Sequence, residues 1–198
     1  MTRPTASDEE LLASFRNGQR SALDALARRY EPPMLGLARG LLSGRTDLAC
    51  DAVQETWLRV IRFRDTFNGR SSVKTWVYRI LINQCHSLRR MTGPEACGAA
   101  TMWRDDEPSQ AAKAAARGPA APAEPHAAAE RAETRAGLRD ALERLPSDRR
   151  GVLLLCYHEG LTHEAVAEIL HIPLGTLKSR LHAALEELRG LLCSEDRT

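Results

Sequence analysis

Between Arg59 and Arg90 the chain sets eight cations (Arg59, Arg62, Arg64, Arg70, Lys74, Arg79, Arg89, Arg90) against one anion, Asp65. Phe63, Phe67, Trp76 and Tyr78 are interleaved with them. Cations that track phosphates, beside rings that hold unstacked bases, make a surface for single-stranded nucleic acid. Trp76 falls on an apolar stripe and reads as core. Phe67 instead sits in a break, Asp65 to Ser72 with Asn68-Gly69 inside it, where a loop can present it. A second constellation, Thr176, Lys178, Ser179, Arg180 and His182, combines long cations with small hydroxyls near a helix start. Those types reach base edges in a major groove. The plainer reading of both sets is solvated helix surface.

A third set lies in CDAVQETWLRV, Cys50 to Val60. Asp51, Gln54 and Glu55 share one helix face, opposite Trp57 and Val60. An acidic and amide patch is poor DNA-contacting surface. It suits a protein partner with complementary cations, or an ordinary solvent face. Catalytic patterns are missing. The six histidines (His86, His126, His158, His163, His171, His182) have no metal-ligand spacing, and the carboxylates form no metal-site cluster. No enzyme activity, cofactor or metal is expected.

The elements that must carry these residues read as helices throughout. Leu11, Leu12, Phe15, then Leu23, Leu26, Tyr30 recur at helical spacing. Pro32-Pro33 marks a new start, followed by Met34, Leu35, Leu37, Ala38, Leu41 and Leu42. Val53, Trp57, Val60 and Ile61 form a further stripe, and Val73, Trp76, Val77, Ile80, Leu81 and Leu88 another. Near the C-terminus, Leu138, Leu142 and Leu145 lie on one helix and Val152 to Cys156 on a second. Thr162 is placed to cap a short helix with Val166, Ile169 and Leu170 inward. After a break at His171 to Leu174, with Pro173 suited to a first helical turn, a last helix buries Leu177, Leu181, Leu185 and Leu188. The pair reads as a helix-turn-helix. No run alternates as a strand would. The expected fold is all-α, in two small helical domains.

Between these blocks, residues 91–130 contain 14 Ala, 5 Pro and 3 Gly among 40. Such a stretch buries too little surface to offset its ordering entropy and is expected to be a flexible linker. The domains are therefore set at 8–90 and 131–190. With 43% apolar residues the 198-residue chain can build real cores, and its formal charge of +2 excludes a histone-like polycation. The N-terminus lacks a signal-peptide core and no apolar run approaches a membrane span, so a cytoplasmic protein without membrane insertion is expected. Cys50, Cys85, Cys97, Cys156 and Cys193 are scattered and never form CxxC, which fits reduced thiols.

These segments carry a family resemblance. DAVQETWLRV, then FNGRSSVKTWVYRILIN, then GLTHEAVAEILHIPLGTLKSRL closely resemble bacterial sigma-70-family sigma factors of the extracytoplasmic-function (ECF) group. The resemblance covers about Asp8–Arg90 and Arg135–Arg189, in the order that group uses. It implies a sigma-2 domain, a tether and a sigma-4 domain, controlled by an anti-sigma factor. Asp51, Gln54 and Glu55 fall where the family docks on the β′ clamp helices of core RNA polymerase, which also engages it through the β subunit. Arg59, Phe63, Phe67, Ile80 and Asn83 match the pocket for a flipped-out base of the −10 element. Arg70, Ser71, Ser72 and Lys74 match the loop and helix start that handle the non-template strand. Thr176, Lys178, Ser179, Arg180 and His182 match the positions that read the −35 duplex.

Three positions depart from the group's pattern. Cys50 stands where Glu is usual, Ser87 where Asp is common, and Ala183 where many relatives carry Arg. The last removes a phosphate or base contact and weakens or redirects −35 reading. Promoter elements about two helical turns apart need the domains separated by ~70 Å. A 40-residue tether spans roughly 35 Å relaxed and about 130 Å extended, so polymerase is expected to hold it open. The rivals are a helix-turn-helix regulator binding duplex DNA only, and a small nuclease. The first has no need of the QETWLRV helix or the basic-aromatic segment.

Overall fold

The computed structural model describes residues 6–92 and 137–195. Among them every regular element is helical. The first lobe holds α1 (Asp8–Arg16), α2 (Arg20–Leu41), α3 (Thr46–Phe63), a 3-10 turn at Arg64–Thr66, and α4 (Val73–Thr92). The second holds α5, described over 137–144, α6 (Ser147–Leu153), α7 (His163–Leu170) and α8 (Leu174–Glu195). Of the expected linker, Met91 and Thr92 still belong to α4, and residues 93–130, with Cys97 and His126, lie outside the described residues.

Local chemistry fixes the helix ends. Ser7 and Glu10 form a reciprocal capping box, Glu10 N donating to Ser7 Oγ (3.2 Å) and Ser7 N to Glu10 Oε2 (2.8 Å). Ser43 (φ 53°) and Gly44 (φ 75°) both take left-handed conformations, reversing the chain between α2 and α3. Ser72 Oγ accepts from Thr75 N (3.0 Å) and starts α4.

One expected boundary is absent. Pro32 and Pro33 lie inside α2, which runs unbroken from Arg20 to Leu41. Each proline removes one helical N–H, leaving the carbonyls of Arg28 and Arg29 without their usual donors. Both residues are exposed, so water can satisfy those groups. Tyr30, Met34, Leu37 and Leu41 meanwhile stay on one buried stripe across the prolines. Continuous burial outweighs a local cost of about 3 kcal/mol per proline.

The stripes of α2, α3 and α4 meet at Leu26, Met34, Leu37, Val60, Tyr78 and Leu81, all essentially fully buried. Leu145, Leu155, Ile169 and Leu177 do the same in the second lobe. These two sets belong to one contiguous apolar core, so the lobes pack against each other. Leu138, expected inward on α5, is exposed, and Ala141 takes the buried position instead.

Candidate nucleic-acid interface

The α3–α4 corner gathers much of the basic-aromatic set. α4 returns antiparallel along α3, so Arg59 meets Gln84 near one end and Phe67 meets Trp76 near the other. The Gln84 carboxamide oxygen accepts from Arg59 Nε (2.8 Å) and Nη1 (3.2 Å), and Arg59 Nε also donates to Glu55 Oε1 (3.1 Å). The Phe67 and Trp76 rings are tilted, with centroids 5.4 Å apart. Ile80 and Asn83, both half-buried, lie between these contacts at helical spacing from Trp76. Phe63, one turn beyond Arg59, is 41% exposed with the Arg62 guanidinium 5.5 Å from its ring centroid. Trp76 is half-buried and packs against the core as its stripe suggested, with Phe67 as a further neighbour.

The loop before α4 is tightly built. Asn68 Oδ1 accepts from Arg70 N (3.1 Å), and Gly69 sits at φ 73°, where a side chain would be strained. Arg16 Nη1 donates to the Phe67 carbonyl (3.3 Å) and anchors the loop to α1. Arg70 is exposed and Ser71 half-buried, beside the positive end of the α4 dipole.

The cation run does not form one uniform patch. Arg64 lies against Phe15 and Asp65. Arg79 is buried against Glu168 of the second lobe. Lys74, expected to face a DNA strand, donates through Nζ to the Glu159 carbonyl (2.7 Å). Tyr78 donates to the Glu159 carboxylate, and burial beside that carboxylate holds its hydroxyl pKa well above the usual value. Glu159 and Glu168 were invisible as partners in the sequence, since nothing local pairs residues more than eighty positions apart.

Further along the same face of α3, one and two turns before Arg59, Glu55 is half-buried and Asp51 exposed, with Gln54 exposed beside them. Next to them, between α2 and α3, lies an open apolar groove of about 700 Å³. Leu23, Ala27, Leu35, Val53, Trp57 and Leu58 line it, with Asp24 and Glu31 at its edge and Cys50 on its wall. The buried Trp57 indole N–H has no partner among the described residues. Sequence reading missed this groove. Its one clue was Leu58, an exposed leucine on an otherwise polar face.

The helix-turn-helix forms as its residues dictate. Thr162 Oγ1 accepts from Ala165 N (3.3 Å) and caps α7. His171 ends it in the left-handed region (φ 51°), and Ile172 N donates back to the Ala167 carbonyl (3.0 Å) while its side chain is buried. Burial, reinforced by Arg79, lowers the His171 pKa. The Pro173 carbonyl accepts from Leu177 N (3.0 Å), so Pro173 stands at the cap and not within the first turn. Leu177 and Leu181 are buried, Leu185 and Leu188 half-buried. Lys178, Ser179 and His182 are exposed on the opposite face, with Thr176 and Arg180 half-buried. Ser179 Oγ donates to the Thr176 carbonyl (3.0 Å), and His182 Nδ1 lies 3.5 Å from Glu186.

Among the described residues no group of three His, Cys, Asp or Glu could hold a metal ion, and no helix is long and apolar enough to cross a membrane. Cys85 is buried, which pushes its thiol up to about 12; Cys156 is half-buried and raised to about 11; Cys50 and Cys193 are exposed.

Comparison with known proteins matches both lobes. Residues 26–93 match the family model for Sigma-70 region 2, and residues 135–188 that for Sigma-70, region 4. The chain is 32% identical over 190 residues to the ECF RNA polymerase sigma factor SigM of Mycobacterium tuberculosis, covering 96% of this chain and 87% of that one. It is 29% identical to the RNA polymerase sigma-H factor of Pseudomonas aeruginosa, covering 91% of each. In fold it resembles CnrH, solved in complex with the cytosolic domain of CnrY (TM-score 0.65, 21% identity, 96% of this chain, 99% of that). It also resembles the sigma factor RpoE solved with the anti-sigma factor NepR from Bartonella quintana (TM-score 0.60, 24% identity, 86% and 96% covered).

Proposed function

The chain belongs to the extracytoplasmic-function group of the sigma-70 family, and from that premise we propose that it directs core RNA polymerase to promoters by two separate DNA readouts. The observation that carries this is the coexistence, in one chain, of an exposed recognition-helix face on α8 and a basic-aromatic corner at α3–α4. A duplex regulator needs only the first.

In this reading residues 8–90 form the domain that docks on polymerase and melts DNA, residues 91–130 the tether, and residues 131–190 the upstream reader. Asp51, Gln54 and Glu55 meet the β′ clamp helices, with the neighbouring groove accepting apolar side chains of the partner. Charge complementarity orients this contact, while Leu58 and the Trp57 wall supply burial. The β subunit is the second contact on the enzyme.

Opening a promoter takes a base out of its stack, at a few kcal/mol. The corner that carries Arg59, Phe63, Phe67, Ile80 and Asn83 offsets that cost by holding the base, without any catalytic residue. Asn83 supplies the polar contact and Phe67 a ring face. Arg70, Ser71 and Ser72 guide the displaced strand at the α4 N-terminus, joined by Lys74 once it leaves Glu159. Thr176, Lys178, Ser179, Arg180 and His182 read the −35 duplex in its major groove. An anti-sigma factor, of the kind found with the relative RpoE, holds the chain inactive until its signal arrives.

The test is transcription in vitro from genomic fragments with purified core polymerase, followed by mapping of start sites. Promoter-specific initiation that requires this chain is expected. A chain that neither binds core nor redirects it would overturn the reading.

A further inference from the structure

Position 84 is an odd place for a glutamine. Its neighbours in α4, Leu81, Ile82 and Cys85, are buried in the apolar core, and Gln84 itself is 7% exposed. Packing alone would be served better there by leucine, because a carboxamide taken out of water must find partners. Gln84 reaches across to α3 for its own. Its oxygen accepts from both Nε (2.8 Å) and Nη1 (3.2 Å) of Arg59. Two contacts to one guanidinium fix where that group sits, and Arg59 is the residue that opens the basic-aromatic set.

Arg59 Nε has a second acceptor, Glu55 Oε1, 3.1 Å away and one turn back on α3. The two acceptors differ in kind. The Glu55 and Arg59 side chains are 46% and 47% exposed, so their ion pair is screened by water and holds weakly. Gln84 is held in place by the interior around it, and its bond responds little to salt. Beside the pair an open recess of about 290 Å³, lined by Glu55, Leu58, Gln84 and Leu88 among others, leaves Glu55 room to turn away. On the proposed function Glu55 belongs to the face that meets polymerase, where cations of the partner draw on its carboxylate. Arg59 is then left to Gln84.

We infer that Gln84 is a positioning residue for −10 recognition: it acts through Arg59, by holding the guanidinium at the α3–α4 corner after Glu55 has been engaged. Ile80, one turn earlier on α4, and Asn83, the preceding residue, are half-buried on the same stretch, so the held cation stands beside them. An arginine ordered in advance loses less rotamer freedom when a DNA strand arrives, and more of the contact appears as affinity. The contact itself stands independently of function; its consequence for promoter opening rests on the sigma-factor reading.

The experiment uses the full-length chain with core polymerase and a fork-junction DNA with a single-stranded −10 element, built on a start site mapped as above. Gln84→Met keeps the length of the side chain and removes the acceptor; Gln84→Glu keeps an acceptor oxygen. Anisotropy is expected to show Gln84→Met binding the fork about fivefold more weakly, the worth of one hydrogen bond, and Gln84→Glu close to wild type. Arg59→Ala should lose at least as much, and Gln84→Met combined with Arg59→Ala should be no weaker than Arg59→Ala alone. Binding to core and to −35 duplex should be unchanged throughout. Should Gln84→Met fail to fold by circular dichroism, Gln84→Leu takes its place in the same cycle. Wild-type fork binding by Gln84→Met overturns the inference, and so do losses that add in the double variant, which would mean that Gln84 acts without Arg59. A wild type that does not bind core sinks the sigma-factor reading instead. Exchange of the Arg59 Nε–H proton by NMR, slow in the free wild type and fast in Gln84→Met, then still decides whether Gln84 holds the guanidinium.

Discussion

His86 lies in the interior of α4, and burial, followed by the charges of Arg89 and Arg90, lowers its pKa to about 4. The unfolded chain protonates the same ring near pH 6.5, so between these values the unfolded state binds the extra proton. The contribution is complete above 6.5 and is lost as pH falls towards 4. At pH 5 the difference is about 2 kcal/mol. Urea midpoints at pH 7 and pH 5 should therefore diverge more for the wild type than for His86→Gln; equal divergence would remove His86 as the cause. Asn83 makes a functional prediction at the same scale. Its half-buried amide lies at the α3–α4 corner, where a base edge can be read by hydrogen bonds. Asn83→Ala should slow open-complex formation about tenfold, one polar base contact, and leave binding to −35 duplex unchanged. Fluorescence of 2-aminopurine in the −10 element measures the first, and anisotropy of a short duplex the second.

At the scale of elements, the sequence was most readable where the signal is local. Thr162 announced the α7 cap because a hydroxyl before an apolar repeat has few other uses, and it makes that bond. Thr162→Ala should cost about 1 kcal/mol, lower the melting temperature by a few degrees and weaken −35 duplex binding, because α7 supports the recognition helix. A calorimetric scan unchanged by the substitution would show the cap to be idle. Pro32-Pro33 misled for the opposite reason: a local stop signal lost to a buried stripe that only the packed helices reveal. The pairs Lys74–Glu159 and Arg79–Glu168 carried no sequence signature. Charged residues on a helix face look alike whether they meet water, DNA or another lobe. The π-turn at Leu154–His158 was equally hidden, since Val152 to Cys156 reads as ordinary helix. The acidic face of α3 was legible by spacing, but its neighbouring groove needs α2 alongside and could not be.

For the whole molecule, reach is the governing quantity. On the proposed function, the two lobes, packed together in the closed form described above, must move from side-chain contact to a separation of ~70 Å to read both promoter elements. Forty residues allow this with length to spare, about 130 Å fully extended. Shortening the segment to about fifteen residues reduces the limit to roughly 50 Å, below the required span. The closed form should survive that deletion, because shorter tethers raise the effective concentration of one lobe for the other. Core binding through α3 should survive as well, since that face is exposed in the closed chain. Transcription from a promoter with both elements should fall at least tenfold, whereas binding to isolated −35 duplex should not. Run-off transcription and duplex anisotropy on the same preparation separate these outcomes. Undiminished transcription from the shortened chain would mean that the two readouts are not used together, and that the second lobe serves docking or closure instead of promoter reading.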